Sequence, residues 1–299
     1  MKQTPEWNSL LQSTPFAPLH PVISAIKTEA FPTLAELNAL LVAHQPAITV
    51  QSGRELRFVE QGYGRLAFEE QYEPRCYSTG EVQTRSDNWH DLLNALVWLT
   101  FPKAKAAINA RHFNALMEKR PALTENRPAL TSAAVTRSER GAVRDTNTLL
   151  DESGVIVAYA DAELAGLLRN FQWHELFWQR REQVQASMGF YLFGHGLYEK
   201  ALQPYVGMTG QGLLLAVEQE FFGWSVSQQS AHLDSLLADY LAEPEHCRST
   251  RELSPVPLLG VPGWTAANDC AAYYDNTAYF RSGRRESSSI TGSADSDES

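Results

Sequence analysis

Two stretches of the sequence set histidine against acid at spacings that suit proton transfer. In the first, His90 and Asp91 are adjacent and Asn94 follows one turn later, within an otherwise apolar and aromatic run from Trp89 to Phe101. In the second, His195 and Glu199 are four residues apart, so on a helix they share one face and can hydrogen-bond. A histidine oriented by a carboxylate is a plausible general base. Asp145 and Asp275 lie in two further motif-like stretches, and carboxylates brought beside a buried histidine would suit acid–base work. Polar groups inside apolar runs are costly unless they are paired. His90, Asp91, Asn94, Asp145, His195, Glu199 and Asp275 are therefore the candidate catalytic residues.

Each has a plain structural use as well. His90 and Asp91 can cap and tether a buried helix end, and His195 with Glu199 can stabilise a helix start. Asp145 can pair with Arg144, and Asp275-Asn276 can simply make a turn. Gly194 and Gly196 flank His195, but the third glycine of a dinucleotide fingerprint is missing, so their use is close backbone packing. His90-Asp91 is also the dipeptide of metal-dependent phosphohydrolases of the HD type. The further His and helical Asp that such a metal needs are not found at recognisable spacing, so no metal ligands are assigned. No GxSxG, GxxxxGK[ST] or HExxH occurs. Substrate and cofactor are not readable from the sequence.

The elements that must carry these residues follow from caps and periods. Ser86, Asp87 and Asn88 offer three N-caps in a row and Pro102 a stop, so a buried helix is predicted between them. Pro102 suits the first turn of a second helix running to about Arg120. Upstream, Thr33 and Glu36 form a capping box before a short amphipathic helix, and residues 47–85 read as a small antiparallel sheet. Downstream, 121–143 reads as a loop. Asn147–Leu150 and Val155–Tyr159 then read as the arms of a hairpin turning at Asp151–Gly154, so that Asp145 opens a strand. Helix is expected from Asp161 to about Ser187 with a break near Asn170, and again around Gly210–Phe222 and Ser227–Leu241. Pro255–Trp264 reads as a stiff extended connector, and Tyr273–Arg281 as a strand or turn closing on the core.

The fold class expected is α+β, a predominantly helical body with a small antiparallel sheet and hairpins. Residues 1–32, with five prolines, are expected to form an extended surface arm, 33–281 a single mixed domain and 282–299 a disordered polar tail. A net charge of −10 argues against a dedicated nucleic-acid binder. The segment 103–144 nevertheless holds nine Lys/Arg against three Glu, and such a run can hold an anionic ligand or be a solvated face. Cys76, Cys247 and Cys270 have no disulfide or zinc spacing, and no apolar run is long enough to span a bilayer. Met1–Pro5 lacks the apolar core of a signal peptide, so a cytoplasmic protein is expected.

Several stretches together resemble a bacterial family known only as domain of unknown function 3025. They are Asn88–Trp98 with Phe101-Pro102, Arg144-Asp145 with Thr148–Val155, Phe193–Lys200, and Gly260–Trp264 with Tyr274–Ala278 and Phe280-Arg281. The resemblance spans roughly residues 30–281. It implies a single bacterial cytoplasmic domain and carries over no activity and no catalytic residue. Two function classes stay open: an enzyme with a buried His/Asp/Asn/Glu acid–base site for a small anionic or polar substrate, and a non-catalytic binding or scaffold protein whose buried polar groups hold the fold. The enzyme is favoured, because ionisable groups crowd into apolar runs where a surface function would not need them. The partner class left open is a small-molecule ligand.

Overall fold

The computed structural model of the chain describes residues 5–62, 64, 66–118 and 137–283. Its N-terminal segment is helical, which corrects the extended-arm expectation. Helix α1 (Trp7–Gln12), a 3-10 segment over Thr14–Leu19 and helix α2 (His20–Ala25) follow one another. Pro15 and Pro21 sit in first turns, where a missing N–H costs nothing. Pieces this short show no readable period, yet Phe16, Leu19 and Ile23 are fully buried. Phe16 packs on Tyr198 with ring centroids 5.3 Å apart.

Helix α3 (Leu34–Ala43) starts at the expected capping box, in which Thr33 Oγ1 accepts from Glu36 N at 3.2 Å and Glu36 accepts from Thr33 N at 2.8 Å. The next region differs from expectation. Strands β1 (Arg57–Glu60) and β2 (Glu81–Thr84) pair in parallel, with only an isolated antiparallel bridge between Thr49 and Glu55. Parallel strands need a crossover, and helix α4 (Tyr72–Thr79) supplies it. Gly80 ends α4 at φ 76°, and a Cβ there would strike the Glu55 carbonyl.

Helix α5 (Trp89–Thr100) is the buried helix foreseen, capped by Asn88 Oδ1 accepting from Asp91 N at 3.0 Å. Every residue from Asp91 to Leu99 is buried. After a corner at Phe101, helix α6 (Pro102–Met117) runs on with Pro102 in its first turn. The hairpin expected next is corrected. Helix α7 (Arg137–Ser153) runs through Asn147–Leu150 and ends in Asp151-Glu152-Ser153, passing directly into strand β3 (Gly154–Tyr159). A Cβ on Gly154 would lie 2.2 Å from the Leu150 carbonyl oxygen, so this abrupt switch requires glycine. Polar residues ending in Gly suit a helix terminus as well as a turn.

Helix α8 (Ala162–Arg169) stops at Asn170, and a π-helical turn over Glu175–Gln179 leads into helix α9 (Arg181–Ser187), so the expected break is found. Strand β4 (Met188–Leu192) then pairs antiparallel with β3, and helix α10 (His195–Ala201) follows. The helix expected at Gly210–Phe222 is instead strand β5 (Thr209–Ala216), parallel to β3. Its apolar run is too short for its period to decide. Gly210 and Gly212 lie where a Cβ would meet Val155 and Val256 at 2.4 and 2.8 Å. Helix α11 (Val226–Ala242) is as expected. The connector begins as strand β6 (Ser254–Pro257) on the sheet edge, where its prolines are tolerated. Residues 271–275 form a 3-10 turn. The fold is α+β: a helical body around a mixed four-stranded sheet, β4-β3-β5-β6, beside the parallel pair. Among the described residues, no helix is long and apolar enough to cross a membrane.

One long-range cap locks α6 onto α11. Asp234 accepts from Lys103 N at 3.2 Å and from Ala104 N at 2.8 Å. Burial nonetheless pushes its pKa up to about 6, against the opposing pull of those two N–H groups, Lys103 and His44. A folded-state value above the ordinary 3.8 makes this a contribution fully present below pH 3.8 and lost as pH rises through about 6. The stability of the parent relative to Asp234→Asn is therefore expected to rise as pH falls from about 7 to about 4. Urea unfolding of both proteins across that range checks it; a relative stability that falls on acidification would contradict it.

Candidate active site

The first turn of α5, the last turn of α7 and the start of α10 meet at two histidines. His90 Nε2 lies 3.1 Å from His195 Nε2. Each ring has a carboxylate on its other side. Glu199 Oε2 is 3.0 Å from His90 Nδ1. Asp151 Oδ2 is 3.7 Å from His195 Nδ1, longer than a hydrogen bond. Glu152 Oε1 faces the junction, 3.5 Å from His195 Nε2 and 3.9 Å from His90 Nε2. His90, Glu152 and His195 thus present donor atoms within 4.8 Å of one another, a set that suits a metal ion.

Local sequence explains this closeness. A Cβ on Gly194 would fall 2.5 Å from the backbone nitrogens of Ser153 and Gly154, and one on Gly196 2.5 Å from Glu152 Oε2. Glycine on either side of His195 lets α10 press against the end of α7, and Gly194 N donates to the Gly154 carbonyl at 2.9 Å. The close-packing use of these glycines is the one they serve.

Beneath the histidines lies a buried polar network. Lys105 on α6, only 3% exposed, donates from Nζ to Asp151 Oδ1 at 2.5 Å and to Asn94 Oδ1 at 2.9 Å. Asn94 Nδ2 donates to the Tyr72 hydroxyl at 2.8 Å. Glu73 on α4 takes His112 Nδ1 at 2.9 Å and Asn109 Nδ2 at 2.6 Å. Asp91 accepts from Arg85 Nε and from a terminal guanidinium nitrogen, both at 2.8 Å, and from Arg85 N at 2.7 Å.

Charge at the centre follows from burial. Burial drives the His195 pKa down to about 4, with Asp151 opposing and Lys105 and His90 assisting, so this ring is neutral at physiological pH. Burial also raises Asp151, but Lys105 and then His195 outweigh it and hold the carboxyl below its ordinary value. Glu152 goes the other way: burial raises it, and the pull of His90 does not compensate. Two cavities meet here. A cleft of about 650 Å³ is lined by Trp89, His90, Glu152, Glu199, Lys200 and Tyr205, among others. A smaller cavity of about 250 Å³ reaches Tyr72, Glu73, Asn94, Asp151 and His195. His90 and Glu152 line both.

The structure brings His90, His195 and Glu199 into direct contact, and joins Asn94 to them through Lys105 and Asp151. Asp91 is close by but fully engaged by Arg85. Asp145 is exposed on α7 and Asp275 exposed at the end of a 3-10 turn; neither lines either cavity. Asp151, Glu152 and Lys105 were missed. In sequence, Asp151-Glu152 reads as part of a hairpin turn, and Lys105 sits in an alanine-rich helix that reads as partly solvated. Of the basic run 103–144, residues 119–136 lie outside the described residues.

The chain belongs to the DUF3025 family, described as proteins of unknown function, whose profile matches residues 56–284. No curated protein and no solved structure matches it.

The network sets an expectation for stability. Lys105→Met leaves Asp151 as a buried carboxylate without its cation and should cost about 3–5 kcal/mol. Asn94→Leu strands the Tyr72 hydroxyl and one Lys105 hydrogen and should cost about 1–3 kcal/mol. Urea unfolding measures both; a neutral Lys105→Met would show that the pair does not hold α6 to α7.

Proposed function

We propose that this chain is an enzyme whose acid–base centre is formed by His90, His195 and Glu152, acting on a small polar substrate admitted through the larger cleft. The observation that carries this reading is the convergence of two imidazoles from distant segments, Nε2 to Nε2 at 3.1 Å, where two cavities meet. Structural histidines in this chain are satisfied differently: His112 is held between Glu73 and Thr148.

Roles follow from surroundings. His90 is half-buried and lines the cleft, with Glu199 on Nδ1 to orient the ring and stabilise the imidazolium formed when Nε2 takes a proton. Glu152, with its raised pKa, suits the complementary role of proton donor. His195 stays neutral and fixes the far side of the reacting position. Asp151, Lys105, Asn94 and Tyr72 are positioning residues behind it.

The charge around the site favours a polar substrate group over an anionic one. In the inner cavity Glu73, Asp91, Asp151 and Glu152 outnumber Arg85, which is itself bound to Asp91. A reducing bacterial cytoplasm fits the family resemblance and the free state of Cys76, Cys247 and Cys270.

Screening the purified chain against panels of carboxylic esters and amides tests the reading. Turnover is expected, falling by about 100-fold or more in His90→Gln and in His195→Gln while the melting temperature holds. No turnover on any panel, or turnover indifferent to both substitutions, would overturn it.

A further inference from the structure

We infer that His90 Nε2, His195 Nε2 and Glu152 Oε1 are the protein ligands of a divalent first-row transition cation of the zinc type. This rests on the reading of the cluster as the reaction centre but changes two roles given there: with the cation bound, His90 Nε2 and Glu152 would be ligands, and the acid–base work would pass to the metal-bound water.

Geometry is the first argument. The three donor atoms are separated by 3.1, 3.5 and 3.9 Å. Tetrahedral zinc with bonds of about 2.0–2.1 Å sets its ligand atoms about 3.3–3.4 Å apart, so shifts of a few tenths of an ångström complete the site. Two imidazoles and one carboxylate also form the donor set of catalytic zinc and non-haem iron, whereas calcium and magnesium take oxygen ligands. Two of the three, His90 and Glu152, line the cleft of about 650 Å³, which leaves room beside them for water and substrate.

The contacts are the second. His90 Nδ1 lies 3.0 Å from Glu199, and the two Nε2 atoms face each other at 3.1 Å. A cation bound by both nitrogens would use that approach, and a carboxylate behind a ligand histidine, as Glu199 stands behind His90, is the usual arrangement at metal-bound imidazole. His195 Nδ1 is buried, with Asp151 Oδ2 3.7 Å away.

Charge is the third. Asp151, Glu152 and Glu199 surround the point, with Lys105 as the balancing ammonium beside Asp151. Three carboxyl groups against one ammonium favour a cation there. When bound, such an ion supplies a Lewis acid and a water of lowered pKa.

The full-length chain, stripped with chelator, is titrated with Zn²⁺ by calorimetry and with Co²⁺ by visible absorption. One cation per chain is expected, with the intense Co²⁺ bands of a four- or five-coordinate site. Glu152→Gln and His195→Gln should weaken binding by about 100-fold or more, and Glu199→Gln by about 10–100-fold through its effect on His90. Circular dichroism confirms folding of each variant, and Glu152 and Glu199, which line the open cleft, keep the test open if His195→Gln misfolds. No binding at one equivalent, or binding unchanged in Glu152→Gln and Glu199→Gln, overturns the inference. Turnover lost in His90→Gln without any cation binding would sink the metal site and leave the acid–base reading standing.

Discussion

The centre depends on one buried ion pair, Lys105 with Asp151. Taking a lysine and an aspartate out of water is expensive, and their attraction repays this only with good geometry and complete hydrogen bonding. The geometry is good, and the ammonium also reaches Asn94, which is held by Tyr72. Such a pair is a weak device for stability, since an apolar replacement of similar volume can do as well. Its use here is registration. It ties the last turn of α7 to α6, and Glu152, the next residue, is thereby held against α10 and the two histidines.

The polar residues around the centre divide by how well they are satisfied. Asp91 is saturated by Arg85, Glu73 by His112 and Asn109, and Asn94 by Tyr72 and Lys105. For these a structural use is sufficient. His90, His195 and Glu152 differ. Their mutual contacts run from 3.1 to 3.9 Å, one imidazole nitrogen lacks any hydrogen bond, and the group borders open volume. A fold seeking only stability would not keep two histidines facing each other in this way.

What was legible in the sequence is what local chemistry encodes. The caps at Asn88 and Thr33 and the stop at Pro102 fixed the ends of α5, α3 and α6. His90, His195 and Glu199 stood out because polar residues inside apolar runs need partners. What was hidden is non-local. Parallel pairing of β1 with β2, and of β3 with β5, depends on crossovers that no short window contains. Asp151-Glu152-Ser153-Gly154 serves a helix end and a turn equally well, and reading it as a turn both hid Asp151 and Glu152 and promoted Asp145. Lys105 was invisible because a lysine among alanines describes a solvated helix face unless a buried carboxylate lies opposite, and that carboxylate is 46 residues away.

If the facing histidines are kept for chemistry rather than for stability, removing one should not weaken the fold. The most direct measurement is urea unfolding of His195→Leu against the parent, both in chelator so that no bound cation contributes. Leucine fills a comparable volume and leaves Lys105 paired with Asp151. An unfolding free energy equal to or above the parent's is predicted, because functional sites hold polar groups where apolar ones pack better. A loss of about 2 kcal/mol or more would place His195 among the residues that hold the fold and contradict a functional centre there.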